Sequence, residues 1–237
     1  MVNIYTLICS NRKNGVNNTF SKKLNEKLKL EFQTRGKETS IITKFIDQYN
    51  VKMCSGCQTC FRDSKCVYCD DQIKFIEHLQ LADIIIFCVP VYINNIPGNL
   101  KVLLDRIGYL VHLMPFLGKS GIILTTSSLS GFDMVEGYME MIFSYLGIST
   151  DLKLRNYDVE HELRSEDSIR ISNYTDLYTK HDLQIPTLLR KVFNHYYNHY
   201  LPYKNADIDN NELKYWQKNY LVFKDIEEVL KEKNIKS

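Results

Sequence analysis

The chain has 237 residues, 44% of them hydrophobic and 24% charged, and its formal net charge is +2. Such a small charge gives no electrostatic basis for binding nucleic acid or an anionic membrane. The N-terminus lacks the basic and apolar regions of a signal peptide, and no apolar run is long enough to cross a bilayer. We therefore expect a cytoplasmic protein whose thiols stay reduced, and the odd, clustered count of seven cysteines indicates metal or redox use in place of a disulfide framework. Cys9 and Cys88 lie within apolar predicted strands and are interpreted as core residues.

Strands and helices are predicted to alternate along most of the chain. Short apolar, β-branched runs predict strands, and spaced apolar side chains followed by glycine predict amphipathic helices. In chain order the predicted strands are 2–9, 39–46, 83–89, 119–127 and 151–159, and the predicted helices are 18–36, 70–82, 98–110 and 134–147. Alternation with short connections indicates an α/β fold, a five-stranded parallel sheet with helices on both faces.

The composition changes near residue 150. Every glycine lies at or before Gly147 and every cysteine at or before Cys88, whereas the remainder is rich in aromatic residues. We therefore expect a glycine-punctuated body, residues 1–150, and an aromatic-rich, mostly helical C-terminal extension, residues 151–237.

Two helices are predicted in the extension, 185–203 and 210–233. The first has an aromatic stripe, typical of core or a subunit interface, with Pro186 in its first turn. His195 and His199 lie on its other face, and their spacing suits a metal. Because no third ligand is in view, a solvated basic face is the favoured interpretation.

The loop after the first predicted strand reads SNRKNGVNNT, residues 10–19. In a doubly wound sheet, ligands bind beyond the carboxyl ends of the strands, and a helix N-terminus there attracts anions. The side chains able to meet a phosphate are Ser10, Arg12, Asn17, Asn18 and Thr19. The alternative is an ordinary loop in which asparagine caps the helix. The loop matches neither GxGxxG nor GxxxxGK[ST], which disfavours a dinucleotide fold or a P-loop NTPase.

The loop after the third predicted strand begins PVYINNIPG at Pro90. Val91 and Tyr92 offer apolar and aromatic surface, and two asparagines follow them. This combination suits a flat heteroaromatic ligand, which needs a surface to lie against and amides at its edge. The alternative is a loop whose Tyr92 simply packs on the domain.

Four stretches occur in the order and spacing of one family: SNRKNGVNNT, CSGCQTC with KCVYCDD, ADIIIFCVPVYINNIPGNLKVLLDR, and GKSGIILTT. Residues 1 to about 147 resemble the flavodoxin-like NAD(P)H-dependent FMN reductases and the related iron–sulfur flavoproteins. The resemblance implies a flavodoxin-like sheet, FMN as cofactor and NAD(P)H as co-substrate. We also expect a homo-oligomer, a dimer or tetramer, with the extension packed across the body or a second subunit near the flavin.

The resemblance also implies the flavin contacts. The FMN phosphate would be held by Ser10, Arg12, Asn17, Asn18 and Thr19. The isoalloxazine ring would be bordered by Pro90, Val91, Tyr92, Ile93, Asn94 and Asn95. The third side would be completed by Thr125, Thr126 and Ser127. There the sequence TTSSLSGFD departs from the glycine-rich run that the family often has.

Five cysteines lie between residues 54 and 69, and three interpretations remain open. The set Cys54, Cys57, Cys60 and Cys66 has the spacing C-x2-C-x2-C-x5-C, which resembles the compact [4Fe-4S] motif of the iron–sulfur flavoproteins. Two CxxC pairs, the second ending at Cys69, could instead form a zinc site, although their gap is short. In the third interpretation the stretch is a loop beside the flavin and binds no metal.

The predicted function is an FMN-dependent oxidoreductase that passes electrons from a nicotinamide to a small-molecule acceptor. No catalytic side chain is predicted, because the cofactor carries the chemistry. One alternative is an iron–sulfur flavoprotein that transfers electrons as a carrier. Another is a binding or regulatory module without redox activity on the same fold.

Overall fold

The computed structural model describes residues 1–157 and 163–236, with side chains through Lys233. Within these residues, five parallel strands form a sheet in the order β2-β1-β3-β4-β5. The strands are β1 (Val2–Ile8), β2 (Thr39–Phe45), β3 (Ile84–Pro90), β4 (Ser120–Ser127) and β5 (Ser149–Tyr157). This is the flavodoxin-type strand order, so the predicted fold class is confirmed.

The helices cover both faces of the sheet and form the extension. They are α1 (Val16–Thr34), α2 (Thr59–Asp63), α3 (Gln72–Leu81), α4 (Gly98–Arg106), α5 (Phe132–Leu146), α6 (Ser165–Thr179), α7 (Thr187–Tyr200), α8 (Asn211–Asn219) and α9 (Ile226–Lys236). Short 3-10 turns lie at Ile46–Gln48, Gly108–His112 and Leu201–Tyr203. None of the helices in the described part of the chain is long and apolar enough to cross a membrane.

The central strands are apolar because both of their faces are covered. Every residue of β3 is buried, whereas the edge strand β2 is partly exposed along its length. On one face, α1 and α6 pack against the sheet through Phe20, Leu24, Leu28, Phe32, Ile171 and Tyr174. On the other face, α3, α4 and α5 pack through Phe75, Leu79, Leu100, Leu103, Val135, Met139 and Phe143.

Three predicted elements differ from the structure. The predicted helix 98–110 ends as an α-helix at Arg106 and continues as a 3-10 turn. The predicted helix 210–233 is two helices, α8 and α9, and α6 was not predicted. The last strand begins at Ser149, so the sheet continues past residue 150, and positions 158 and 159 of the prediction lie outside the described residues.

The extension packs on the body around Trp216, which is fully buried. The Trp216 indole Nε1–H donates to the carbonyl oxygen of His112 at 2.8 Å. The Tyr220 hydroxyl donates to the carbonyl oxygen of Met114 at 2.6 Å. Met114 and Leu117 share one apolar cluster with α7, α8 and α9. The aromatic stripe of α7 is therefore core in this structure, and His195 and His199 are exposed.

Candidate functional site

Three loops meet at the carboxyl edge of the sheet, after β1, β3 and β4. The Thr126 hydroxyl at the end of β4 donates to Asn17 Oδ1 in the first turn of α1. The Val91 N–H donates to the Thr126 carbonyl at 2.9 Å. Asn99 Nδ2, in α4, donates to Asn11 Oδ1 at 2.9 Å. These hydrogen bonds join the loops that the sequence singled out into one rim.

The N-terminus of α1 is suited to an anion. The helix begins after Gly15, and within the described residues no side chain caps it and no acidic residue lies in its first turn. Asn17 and Asn18 lie inside the helix, so the alternative in which asparagine caps it is not observed. The positive end of this helix dipole is therefore not neutralised by a cap or a nearby carboxylate in the first turn.

The first loop holds Arg12 close to that N-terminus. A Cβ at Gly15 would lie 2.7 Å from Arg12 Nε, so glycine permits the close approach of the arginine. Ser10 is buried, and its Oγ accepts the Arg12 N–H at 3.3 Å. Asn18 and Thr19 donate instead to carbonyl oxygens of the same loop, those of Lys13 and Gly15.

The second loop is a tight hairpin with unusual backbone angles. Tyr92 N–H donates to the Asn95 carbonyl at 2.8 Å, and Asn95 N–H donates back at 3.0 Å. The two central residues, Ile93 and Asn94, have φ of 51° and 54°. These angles are those of a type I′ turn, which asparagine tolerates and a β-branched residue does not. Strain of this kind is found at functional sites more often than elsewhere.

The hairpin holds apolar side chains out in solvent. Ile93 is 99% exposed and Tyr92 is 54% exposed, so Tyr92 is not simply packed on the domain. Val91, just before the hairpin, is partly buried against the core, and the buried Pro90 ends β3. Exposed aromatic and aliphatic surface beside two amides, those of Asn94 and Asn95, fits a flat ring.

The third loop approaches the second through Gly131, which sequence reasoning did not single out. Gly131 has φ of 86°, and a Cβ there would lie 2.6 Å from Val91 Cγ1 and 2.7 Å from Asn94 Oδ1. The Ser127 hydroxyl donates to the Ser130 carbonyl at 2.7 Å and shapes this loop. One glycine thus allows the close contact here, in place of a glycine-rich run.

The three third-loop residues predicted at the site have different surroundings. Thr126 joins the loops, whereas Thr125 is fully buried and its hydroxyl has no partner among the described residues. Asn156, on β5, is the register partner of Thr126, on β4, and is also fully buried. Neither Asn156 amide atom is bonded within residues 1–157 and 163–236. Sequence reasoning missed Asn156 because the end of an edge strand carries no motif.

The cysteine stretch is an exposed segment that turns back on itself. Gly56, Gln58 and Ser64 have positive φ, and the last two flank the short helix α2. Among the five thiols, Cys60 and Cys66 are partly buried, and Cys54, Cys57 and Cys69 are exposed.

Four of the thiols influence one another electrostatically. Burial raises the pKa of Cys60, and the neighbouring Cys66, Cys54 and Cys57 raise it further. Hydrogen bonds from Thr59 and then Ser55 lower the pKa of Cys57. Cys69 does not contribute to either shift.

A buried arginine, which the sequence did not reveal as a site residue, contacts this segment. Arg106, at the end of α4, donates to Cys66 Sγ at 3.2 Å, to Asp70 Oδ2 at 2.7 Å and to the Lys52 carbonyl at 2.8 Å. Its guanidinium lies 4.9 Å from the centre of the Tyr68 ring. Arg106 therefore links the cysteine segment to the end of α4 through a hydrogen bond to sulfur.

The cysteine segment offers the type of ligand that an iron–sulfur cluster requires. Thiolates in this spacing are the ligands such clusters use, and a hydrogen bond to a ligand sulfur is a common means of tuning them. In the described ranges, however, no three His, Cys, Asp or Glu side chains form a group that could hold a metal ion.

A cavity of about 250 Å³ lies between the first loop and the start of the cysteine segment. Its lining includes Asn11, Tyr49, Met53, Asn99 and Leu103. The polypeptide just before Cys54 therefore borders the same rim as the first loop.

The strand order and the joined loops define a flavodoxin-type α/β protein, a class in which ligands bind beyond the carboxyl ends of the strands. The chain belongs to the NADPH-dependent FMN reductase family, whose family model matches residues 2–151.

Two curated relatives are iron-sulfur flavoproteins. The chain is 42% identical over 72 residues to one from Methanosarcina thermophila, a match that covers 30% of this chain and 37% of the relative. It is 30% identical over 129 residues to one from Archaeoglobus fulgidus, covering 54% of this chain and 57% of the relative. The matches thus span little more than half the length of these relatives, at most.

Solved structures share the fold at low identity. RosB, with a bound 8-demethyl-8-formylriboflavin-5'-phosphate intermediate, has a TM-score of 0.57 and 12% identity over 88% of this chain and 89% of RosB. An oxidoreductase from Corynebacterium diphtheriae has a TM-score of 0.56 and 12% identity over 76% of this chain and 96% of that protein. At such identities the likeness shows the fold alone.

Proposed function

We propose that the chain is an FMN-dependent oxidoreductase that passes electrons from NAD(P)H to a small-molecule acceptor. The observation that carries the proposal is the rim in which an uncapped helix N-terminus and an exposed aromatic hairpin are joined through Thr126. Family membership supports it. Bound FMN would supply the chemistry, by taking up hydride and returning electrons.

In this proposal the first loop binds the phosphate. Ser10, Arg12 and Asn17 lie at the N-terminus of α1, where the helix dipole favours a phosphate monoester. Asn18 and Thr19 shape the loop through their bonds to its carbonyl oxygens.

The hairpin and the third loop would border the isoalloxazine ring. Tyr92 and Ile93 exclude water from one side, and the amides of Asn94 and Asn95 meet polar atoms at the ring edge. Pro90, Val91 and Ser127 support these contacts, and Thr125 lies beneath them in the strand.

We further propose that the protein works in the cytoplasm as a homo-oligomer, a dimer or tetramer. Exposed apolar side chains near the rim, Ile93, Leu129 and Met134, support association of copies there. Size-exclusion chromatography with light scattering of FMN-loaded protein tests the oligomeric state; a monomer at micromolar concentration would contradict it.

The test of the function is FMN titration followed by anaerobic reduction. We expect tight uptake of FMN with quenching of its fluorescence, then bleaching of the flavin absorbance by NADH or NADPH. Colourless protein that takes up no FMN would overturn the proposal and favour a binding module. Comparing the two nicotinamides at equal concentration identifies the donor.

A second candidate is an iron–sulfur flavoprotein that carries electrons, with a [4Fe-4S] cluster on Cys54, Cys57, Cys60 and Cys66. The four mutually influencing thiols and the Arg106–Cys66 hydrogen bond favour it, as do the names of the curated relatives.

Metal analysis separates the candidates. After anaerobic purification, the carrier should contain iron and acid-labile sulfide, and Cys66→Ser should lose both while Cys69→Ser keeps them. Zinc without sulfide would indicate the two-pair site. Flavin reduction in protein free of iron and zinc would leave the reductase as the function.

A further inference from the structure

A second cavity, of about 280 Å³, lies at the amino edge of the sheet, opposite the three loops. Asp83, Ser120 and Asp151 line it from the start of β3, β4 and β5, and Leu189 and Leu230 line it from the extension. It therefore lies between the body and the extension, open to solvent on one side, and it shares no residue with the flavin rim.

Asp151 is a partly buried carboxylate at this cavity. One oxygen accepts a hydrogen bond from Ser120 Oγ at 2.5 Å and the other from the Ser149 hydroxyl. Since the Ser120 proton is used on Asp151, the Tyr174 hydroxyl donates to Ser120, at 2.7 Å. Burial raises the pKa of Asp151 to about 6, so the group is ionised at neutral pH.

Asp151 has no ion-pair partner in the described part of the chain. Within residues 1–157 and 163–233, neutral groups supply its hydrogen bonds, the hydroxyls of Ser120 and Ser149 and the backbone of Gly121. A partly buried carboxylate without a direct counter-charge carries a desolvation cost, which a bound cation would reduce.

Tyr178 is another polar residue of the lining. Burial raises the pKa of its hydroxyl, and the negative charges of Asp83 and Asp151 raise it further. The hydroxyl has no hydrogen-bond partner in the described part of the chain. It can therefore accept a hydrogen bond from a ligand, and its ring can lie beside a cation.

The lining also contains three basic residues, Lys119, His181 and Lys233. Lys119 Nζ donates to the carbonyl oxygens of Gln80, at 2.7 Å, and Ala82. Burial lowers the pKa of Lys119, while the nearby Asp83 acts to raise it and the nearby Lys233 to lower it further. Lys233 lies against Gly118, where a Cβ would be 3.2 Å from Lys233 Cδ.

We propose that this cavity binds a small organic amine with an apolar body. The ammonium group forms charge-assisted hydrogen bonds with Asp151 and Tyr178, and the apolar body packs against Leu117, Leu189 and Leu230. The volume is at the low end of small-molecule sites, which limits the ligand to roughly one ring or a short chain.

The test is calorimetric titration of the FMN-loaded full chain with phenethylamine, with 2-phenylethanol as the neutral isostere and 3-phenylpropionate as the anion. We expect the amine to bind at least about tenfold more tightly than either, the effect of one charge-assisted contact. Asp151→Asn should remove that preference. Asp209→Asn, which alters an exposed carboxylate of the extension, should keep it.

Equal affinity for the amine and the alcohol, no binding of the amine, or undiminished amine binding by Asp151→Asn would each overturn the proposal. If Asp151→Asn fails to fold, the ratio of amine to alcohol affinity in the unaltered chain decides the question. The amine should leave the affinity for FMN unchanged, because the cavity and the flavin rim share no residue. A failure of amine binding can therefore be distinguished from a failure of FMN binding.

Discussion

Replacing Asp151 by asparagine should change how the free energy of unfolding depends on pH. The folded-state pKa of Asp151 is raised from 3.8 to about 6, mainly because burial penalises the carboxylate. Between these values the folded chain binds a proton that the unfolded chain releases. Binding of that proton stabilises the folded chain. The stabilisation is fully present below about pH 4 and is lost as the pH rises through about 6.

The size of the effect follows from the pKa difference. The pKa of Asp151 is roughly two pH units higher in the folded chain than in the unfolded chain, which corresponds to about 3 kcal/mol. The wild type loses this free energy of unfolding between about pH 4 and pH 8, and the asparagine variant does not. Loss of the carboxylate hydrogen bonds with Ser120 and Ser149 adds an offset that does not vary with pH. Tyr174 and Tyr178 stay neutral throughout because burial raises the pKa of each.

Urea unfolding of the amine-free wild type and Asp151→Asn at a series of pH values measures this difference. We expect the stability of the variant relative to the wild type to rise by about 3 kcal/mol from about pH 4 to pH 8. Asp209→Asn serves as the exposed control and should show no such rise. A constant difference for Asp151→Asn would refute the account of a partly buried carboxylate whose pKa is raised.

Three further substitutions test other parts of the structure. Thr126→Val should weaken FMN binding about tenfold in fluorescence titration, because Asn17 loses its hydrogen-bond donor. Thr125→Val, which removes a hydroxyl without a partner among the described residues, should leave the affinity unchanged. Equal losses would contradict the role of Thr126 in joining the first and third loops. Ile93→Gly should raise the free energy of urea unfolding by about 1 kcal/mol by relieving the left-handed backbone, and a decrease would argue against strain. Trp216→Ala should lower it by about 3–5 kcal/mol, and a loss under 1 would contradict its core role.

The sheet could be predicted from the sequence because local patterns determine it. Apolar runs gave β1, β3 and β4, and the four-residue spacing from Phe20 to Phe32 gave the buried side of α1. The rule that ligands bind at the carboxyl edge then located the three loops without further information.

The break between α8 and α9 had a local signal that was overlooked. Asp225 accepts the Glu228 N–H at 2.9 Å, and Glu228 accepts the Lys224 N–H at 2.9 Å, so a capping arrangement starts the last helix. An acidic residue followed three positions later by glutamate indicates such a start. The apolar periodicity through Tyr220 and Leu221 concealed it, because both residues are buried after α8 has ended.

The contacts that complete the site could not be read from the sequence. Thr126 and Asn17 are 109 residues apart, and Arg106 and Cys66 are 40 apart. Their meeting depends on the strand order and on how far each loop reaches, and neither is encoded in a short motif. The left-handed turn at Ile93 was equally hidden, since isoleucine disfavours that conformation.

Helix α4 spans nine residues from Gly98 to Arg106. Its beginning follows the strained hairpin, and its end places a positive charge on the sulfur of Cys66. Oxidation, alkylation or metallation of that sulfur would alter the hydrogen bond it accepts from Arg106. Helix α4, about two and a half turns long, is the segment that connects this contact with the hairpin of the rim.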